Sequence, residues 1–211
     1  MKLISIQVGI PQLKNYQGKE ISTAIFKYPV KGPVMVRWEN LDGDRQADLR
    51  VHGGRDKAVY AYSLDAYKKW NEIYQTELAP GTLGENLLID SFDETKIGLG
   101  DIYELGECQL QVVQPRIPCF KLNLRLNDSG AIKHFNSIAR SGIYFRVLRE
   151  GMIDLDQEMR LVSRPEEEFV SVADLFKMSI APVSNEEAER LLKIKSLNSD
   201  YRRRIERSLS K

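Results

Sequence analysis

The chain has 211 residues, of which 42% are apolar, enough for one sizeable core or for a main domain with a small appendage. Its 31 basic and 30 acidic side chains leave a net charge of +1, so composition points to neither a nucleic-acid nor a membrane-surface binder, and any anion site must be local. Two cysteines are too few for a disulfide-stapled secreted scaffold, their spacing with His52 and His134 fits no structural zinc pattern, and the absence of a leader or long apolar run predicts a soluble, cytoplasmic protein.

In chain order, "KLISIQVGI", "STAIFKYPV" and "GPVMVRW" are short apolar runs broken by Gly and Pro, the pattern of short strands separated by turns. The densest polar stretch follows, "GDRQADLRVHGGRDKAVY" at residues 43–60. There Gly53 and Gly54 permit a tight turn whose backbone N–H groups can face an anion, with Arg45, Arg50, Arg55 and Lys57 around it in sequence. A plain hairpin turn is the alternative, since neither the P-loop nor the dinucleotide fingerprint is matched. His52 is an acid–base or hydrogen-bonding candidate, or a structural histidine. Asp44, Asp48 and Asp56 do not follow calcium-loop spacing and read as turn residues paired with the adjoining arginines.

"SLDAYKKWNEIYQ" predicts a helix, because Leu64, Tyr67, Trp70 and Tyr74 recur at three- and four-residue steps with Ser63 placed as N-cap. "GENL" puts Glu85 and Asn86 in a loop, where binding groups collect. "IGLGDIYELGECQLQVVQP", "GIYFRVLREG" and "QEMRLVSRP" are strand-like, with a helix at 131–139 whose His134 carries no assigned role. About eight strands with two inserted helices, at turn spacings of roughly 8–12 residues, favour a barrel. Cys108 alternates with Leu110 and Val112 and belongs to the buried face of a strand.

Cys119 is different. In "QPRIPCFKL" at 114–122, Pro115 and Pro118 stiffen the lead-in, and Arg116 and Lys121 flank the thiol with cations that favour thiolate where the fold brings them close. The plain alternative is a small buried hydrophobe. Composition shifts after "SRPEEEF", dividing a β-rich domain at 1–165 from a helical subdomain at 166–211. Ser171 caps "VADLFKM", Ser184 and Glu187 have capping-box spacing ahead of "EAERLLKIKSL", and Tyr201, Ile205 and Leu209 mark one face of a last helix. Arg202, Arg203, Arg204 and Arg207 read as a solvated helix face.

Taken in order, "GDRQAD", "HGGRDKAVYAY", "LGENL", "GDIYELG", "LQVVQPRIPC" and "YFRVLREG" resemble the blocks of the MOSC domain family, and more closely its YiiM-like branch. The resemblance spans nearly the whole chain. It implies an α+β fold, mainly β, with a barrel core and a C-terminal three-helix subdomain. It also implies a cleft for molybdenum cofactor, a pterin dithiolene with a terminal phosphate. Cys119 matches the family's cysteine and is thereby the expected protein ligand of the metal, with Cys119 and His52 as catalytic candidates. Arg116, His52, Gly53, Gly54, Arg55, Lys57 and Asn86 become candidates for holding the cofactor.

The activity implied is reduction of small N-hydroxylated compounds, such as hydroxylaminopurines, to amines. No flavin or NAD fingerprint and no four-cysteine set occurs, so the electrons must come from an external flavoprotein or iron–sulfur reductase. A homodimer is among the assemblies left open. Two other readings compete: a carrier that holds the cofactor or a persulfide on Cys119 without turnover, and nucleophilic chemistry by Cys119 with His52 as base.

Overall fold

A computed structural model describes residues 1–48, 53–181 and 183–209. The Gly- and Pro-punctuated first third forms β1 (Leu3–Val8), β2 (Gln12–Tyr16), β3 (Lys19–Thr23), β4 (Tyr28–Val30) and β5 (Val34–Val36). A single 3-10 turn at Arg55–Lys57 leads into β6 (Val59–Ser63), α1 (Leu64–Tyr74) and β7 (Leu87–Ile89). There follow β8 (Ile102–Leu105), β9 (Cys108–Pro115), α2 (Phe120–Leu126), α3 (Ala131–Ile138), β10 (Ile143–Arg149), β11 (Gly151–Ile153) and β12 (Arg160–Ser163). The chain ends in α4 (Val172–Ile180), α5 (Asn185–Leu192) and α6 (Ser199–Leu209). The class is α+β with three C-terminal helices, as the sequence predicts. The described residues hold twelve strands, because short ribbons add to the expected set, and a third inserted helix, α2, follows Cys119 directly.

Eight strands form one sheet in the order β12-β8-β9-β10-β6-β7-β1-β4, while β2–β3 and β5–β11 make two-stranded ribbons. Among the described residues only β6 and β7 pair in parallel, and α1 lies in the crossover between them, the connection a parallel pair requires. The two ends of the sheet are drawn together. Leu3 N donates to Gln157 O at 2.9 Å, Asp156 N to Leu3 O at 2.9 Å and Met159 N to Met1 O at 2.7 Å, and this segment runs straight into β12. Closure of this kind gives the barrel its form and covers strand edges.

Alternation along β6 decides the layers. Val59 and Ala61 face an aliphatic interior with Leu87, Leu110, Val112 and Phe145, whereas Tyr60 and Tyr62 face a second cluster with Trp70, Leu83 and Phe135. Both faces of this strand are therefore buried, which is why its apolar run is unbroken. Ser63 occupies the N-cap position of α1 but makes no cap bond. Its hydroxyl instead accepts from Arg140 Nη2 at 2.9 Å.

The C-terminal helices bury Leu175, Leu191, Tyr201 and Ile205 in the same interior cluster as the sheet, and Ile194 joins them from the turn after α5. Ser171 accepts from Asp174 N, and Ser184 with Glu187 completes a capping box, both as their spacing predicts. The arginine cluster is no simple solvated face. Arg202 donates to Leu192 O at 2.6 Å and Ile194 O at 2.8 Å, and Arg204 to Ser179 O, so α6 supplies cations to the carbonyl ends of α4 and α5. No described helix is long and apolar enough to cross a membrane.

Arg202→Ala is expected to destabilise the protein by about 1.5–3 kcal/mol, because two carbonyls lose a charged donor. Arg203→Ala, whose guanidinium reaches the exposed Asp200, should stay within about 0.5 kcal/mol. Urea denaturation of the two variants side by side checks the contrast, and equal effects would contradict it.

Candidate functional site

A cleft of about 670 Å³, counting its open mouth, lies where the β2–β3 hairpin, the start of β6, the 84–86 loop and the segment after β9 meet. Local sequence explains each wall. Gln17 and Gly18, at φ 52° and 77°, make the tight hairpin turn that carries Thr23 and Ile25 back to the cleft. Gly84 sits at φ +81°, where a Cβ would come within 2.9 Å of Ile25 Cγ1 and 3.6 Å of Arg116 Nη1. Only glycine lets the loop approach this closely.

Strand β9 ends at Pro115, and three residues follow before Cys119 opens α2 as its N-cap, in extended conformation. Cys119 is half-buried and lines the cleft. Arg116 is buried at 6% exposure, with its guanidinium donating to Leu83 O and lying 4.9 Å from the Tyr60 ring centroid. Burial alone would lower the pKa of Arg116. Tyr60, Tyr144 and Cys119 around it more than offset this, and the cation is held above its ordinary value. Burial also raises the Tyr60 phenol well above its usual range, and its hydroxyl donates to Ser141 O at 2.8 Å. Tyr60 and Tyr144 stack obliquely at 4.9 Å and form one wall.

The floor is a buried polar network. Asp44 Oδ1 accepts from Lys27 Nζ and, at 2.8 Å, from Gly9 N, while Oδ2 accepts from Asn86 Nδ2 at 3.0 Å. Asn86 also donates to Gln7 O and accepts from Tyr60 N, so every polar atom of its side chain is engaged within the protein. Burial drives the Lys27 ammonium below its ordinary value, against the opposing pull of Asp44.

The cleft thus unites Cys119, Arg116, Lys57 and Asn86 of the expected site residues, and adds Lys27, Asp44, Arg45, Tyr60, Lys121 and Tyr144. Gly53, Gly54 and Arg55 are not among its lining residues, and Arg55 stacks over the Trp38 ring at 4.9 Å. His52 and Arg50 lie outside the described residues. Asp44 departs from the reading as an arginine-paired turn residue: its charged partner is Lys27, 17 positions away, in a pair almost wholly removed from solvent. Asp56 pairs with an arginine, but with Arg146 of β10, 90 positions away, not with one that adjoins it in sequence. His134 sits on α3 beside Asp128 at 3.5 Å, away from the cleft. Among the described residues no group of three His, Cys, Asp or Glu side chains converges to hold a metal ion.

Cys108 is fully buried in the interior cluster, and burial pushes its thiol up to about 12. Iodoacetamide applied to the folded protein near neutral pH should therefore modify Cys119 and spare Cys108 until denaturant is added. Peptide mass mapping distinguishes the two, and equal labelling would show that the cleft does not deliver reagent to Cys119 selectively.

The comparisons with known proteins agree with this architecture. The MOSC domain profile matches residues 48–160. The chain is 37% identical over 201 residues to the uncharacterized protein YflK of Bacillus subtilis, covering 95% of this chain and 90% of that protein. It is 33% identical over 189 residues to protein YiiM of Escherichia coli, covering 88% and 84% respectively. A protein of Gibberella moniliformis named Reductase is 36% identical over 160 residues, which is 72% of this chain but 28% of that longer protein. The crystal structure of YiiM from Geobacillus stearothermophilus superposes with a TM-score of 0.81 at 29% identity, over 99% of this chain and 98% of that one. Profile, relatives and fold together make this chain a member of the MOSC domain family, in its YiiM-like branch.

Proposed function

We propose that the protein is a molybdenum-cofactor-binding oxidoreductase that reduces small N-hydroxylated compounds to amines, with electrons from an external reductase. The observation that carries this reading is a single soft sulfur donor, Cys119, opening on a cleft lined by Lys27, Arg45, Lys57, Arg116 and Lys121 against one carboxylate, Asp44. MOSC domains are associated with molybdenum cofactor, and a relative bears the name Reductase; both support the reading.

The residues present fit such a group. One thiolate suits a soft metal centre that brings most of its ligands with it, and the cations suit an anionic pterin phosphate. Gly84, with no Cβ, leaves the loop room at the wall beside Arg116. When bound, the cofactor supplies the two-electron redox chemistry that converts N–OH to N–H with loss of water.

The protein's own groups position and exclude. Cys119 is anchored between Pro118 and the first turn of α2, so its thiol is presented from a stiff backbone. Arg116 is clamped by Leu83 O and by the Tyr60 and Phe135 rings, which leaves a fixed charge rather than a mobile one at the back of the cleft. Lys57 and Lys121 lie along the same lining and offset negative charge on whatever enters. Tyr60 and Tyr144 keep one wall aromatic and exclude water from it.

Protein purified from a cofactor-competent host should carry near-stoichiometric molybdenum and pterin, and should reduce a hydroxylaminopurine with a chemical reductant. Cys119→Ser should abolish turnover while leaving the melting temperature within a few degrees of wild type. Repeatedly metal-free protein, or full activity in the Cys119→Ser variant, overturns the reading, and a cyanide-labile sulfur on Cys119 would instead favour a persulfide carrier.

A further inference from the structure

Lys27 is 8% exposed, yet it lines the same cleft as Cys119. A lysine so placed needs a reason, because burying an ammonium is strongly unfavourable unless it is paired. Its partner Asp44 is itself prepared by the fold: Gly9 N and Asn86 Nδ2 hold both carboxylate oxygens independently of the lysine. The backbone around Lys27 is equally constrained. A Cβ on Gly81 would lie 2.5 Å from Lys27 O, and one on Gly9 would lie 2.5 Å from Phe26 O and 3.2 Å from Lys27 Cγ. Two glycines are thus required to seat this lysine.

An ammonium has three N–H donors, and among the described residues its acceptor is Asp44 Oδ1. Donor capacity therefore remains at a buried cation on a cleft wall. The charged groups that act on Lys27 are Asp44 and Glu85, which favour its protonation, and Arg116, which opposes it; burial outweighs all three and moves the group toward neutrality. A weakened ammonium is a better acid than a solvated one.

We propose that Lys27 is the proton donor to the departing oxygen in the reduction of the N–O bond. This inference rests on the reductase reading above. The overall change is R–NHOH + 2e⁻ + 2H⁺ → R–NH₂ + H₂O. The two electrons come from the external reductase, the N–O bond breaks, and the departing oxygen takes one proton from Lys27 Nζ and leaves as water. Nitrogen takes the second proton from solvent. Lys27 is left as a neutral amine beside Asp44 and is reprotonated through the cleft mouth.

Two measurements test it. In metal-free wild-type protein carrying ¹³C-lysine, the Lys27 resonance, identified by its loss in Lys27→Arg, should titrate below the ordinary lysine range. In the molybdenum-loaded protein, with reduced viologen and a hydroxylaminopurine, Lys27→Arg keeps the charge next to Asp44 but replaces the acid by one far too weak. The expected result is a fall in kcat of about 100-fold with KM and molybdenum content unchanged, and loss of the alkaline limb of the kcat profile. That limb follows from the sign: the donor must be protonated, so rate falls as pH rises through its pKa. An ordinary Lys27 titration, or Lys27→Arg with wild-type kcat and an unmoved alkaline limb, overturns the proposal while leaving the reductase reading intact. Fully loaded wild type that reduces no N-hydroxylated compound sinks the reductase reading itself. Lys27→Met, which leaves Asp44 buried without its cation, is the less informative variant because it threatens the fold.

Discussion

Everything at the cleft depends on one buried carboxylate. Asp44 is 1% exposed and accepts hydrogen bonds from three chain segments far apart in sequence: Gly9 after β1, Lys27 between β3 and β4, and Asn86 before β7. Removing a carboxylate from water is unfavourable by several kcal/mol unless its oxygens are satisfied, so these segments are compelled to meet there. Asn86 extends the constraint, because the same side chain binds Gln7 O and Tyr60 N and thereby joins β1 to β6 beneath the site. The floor of the cleft is consequently a product of folding, not an arrangement that a ligand must organise.

The walls follow from the way the sheet separates its two clusters. Tyr60 and Tyr144 leave the helix-facing side of β6 and β10, so the aromatic layer that covers the sheet also supplies the cleft with a flat wall and a seat for the Arg116 guanidinium. The two thiols illustrate how position decides chemistry. Cys108 alternates into the aliphatic interior at the start of β9, while Cys119 stands beyond the end of the same strand, after two prolines have stopped the ladder. Eleven residues separate a sealed sulfur from an accessible one.

Much of this was legible in the sequence where the signal is local. The α1 pattern of Tyr67 and Trp70, the Ser171 cap and the Ser184–Glu187 capping box depend on residues three or four apart, and each forms where the spacing places it. Cys119 stood out for its prolines and flanking cations. The rest depends on non-local partners or on ambiguous patterns. Lys27 within "AIFKYPV" looks like a strand-end lysine until the fold brings Asp44 to it. Leu122, Leu124 and Leu126 alternate as a strand would, which hid α2, and only Leu122 is fully buried. Ser63 had cap spacing, but Arg140, 77 positions away, claims its hydroxyl. The arginines of α6 look solvated in a helical projection because their acceptors are carbonyls of other helices.

The C-terminal helices are tied to the cleft electrostatically as well as through the core. Lys57 Nζ, on the cleft lining, lies 3.2 Å from Asp200 Oδ2 in the first turn of α6, where the helix dipole favours a carboxylate. Asp200 is half exposed and also holds Arg203, whereas the Lys57 side chain is largely buried, so solvent screens the pair mainly from the carboxylate side. An anion entering the cleft would meet, at Lys57, an ammonium shared with a half-exposed carboxylate, whereas competing with Asp44 for Lys27 would mean breaking a desolvated pair. Two of the cleft's lysines are therefore unlike. Lys57 shares its charge with the first turn of α6, and Lys27 is held in place by a desolvated carboxylate while burial weakens its hold on its proton.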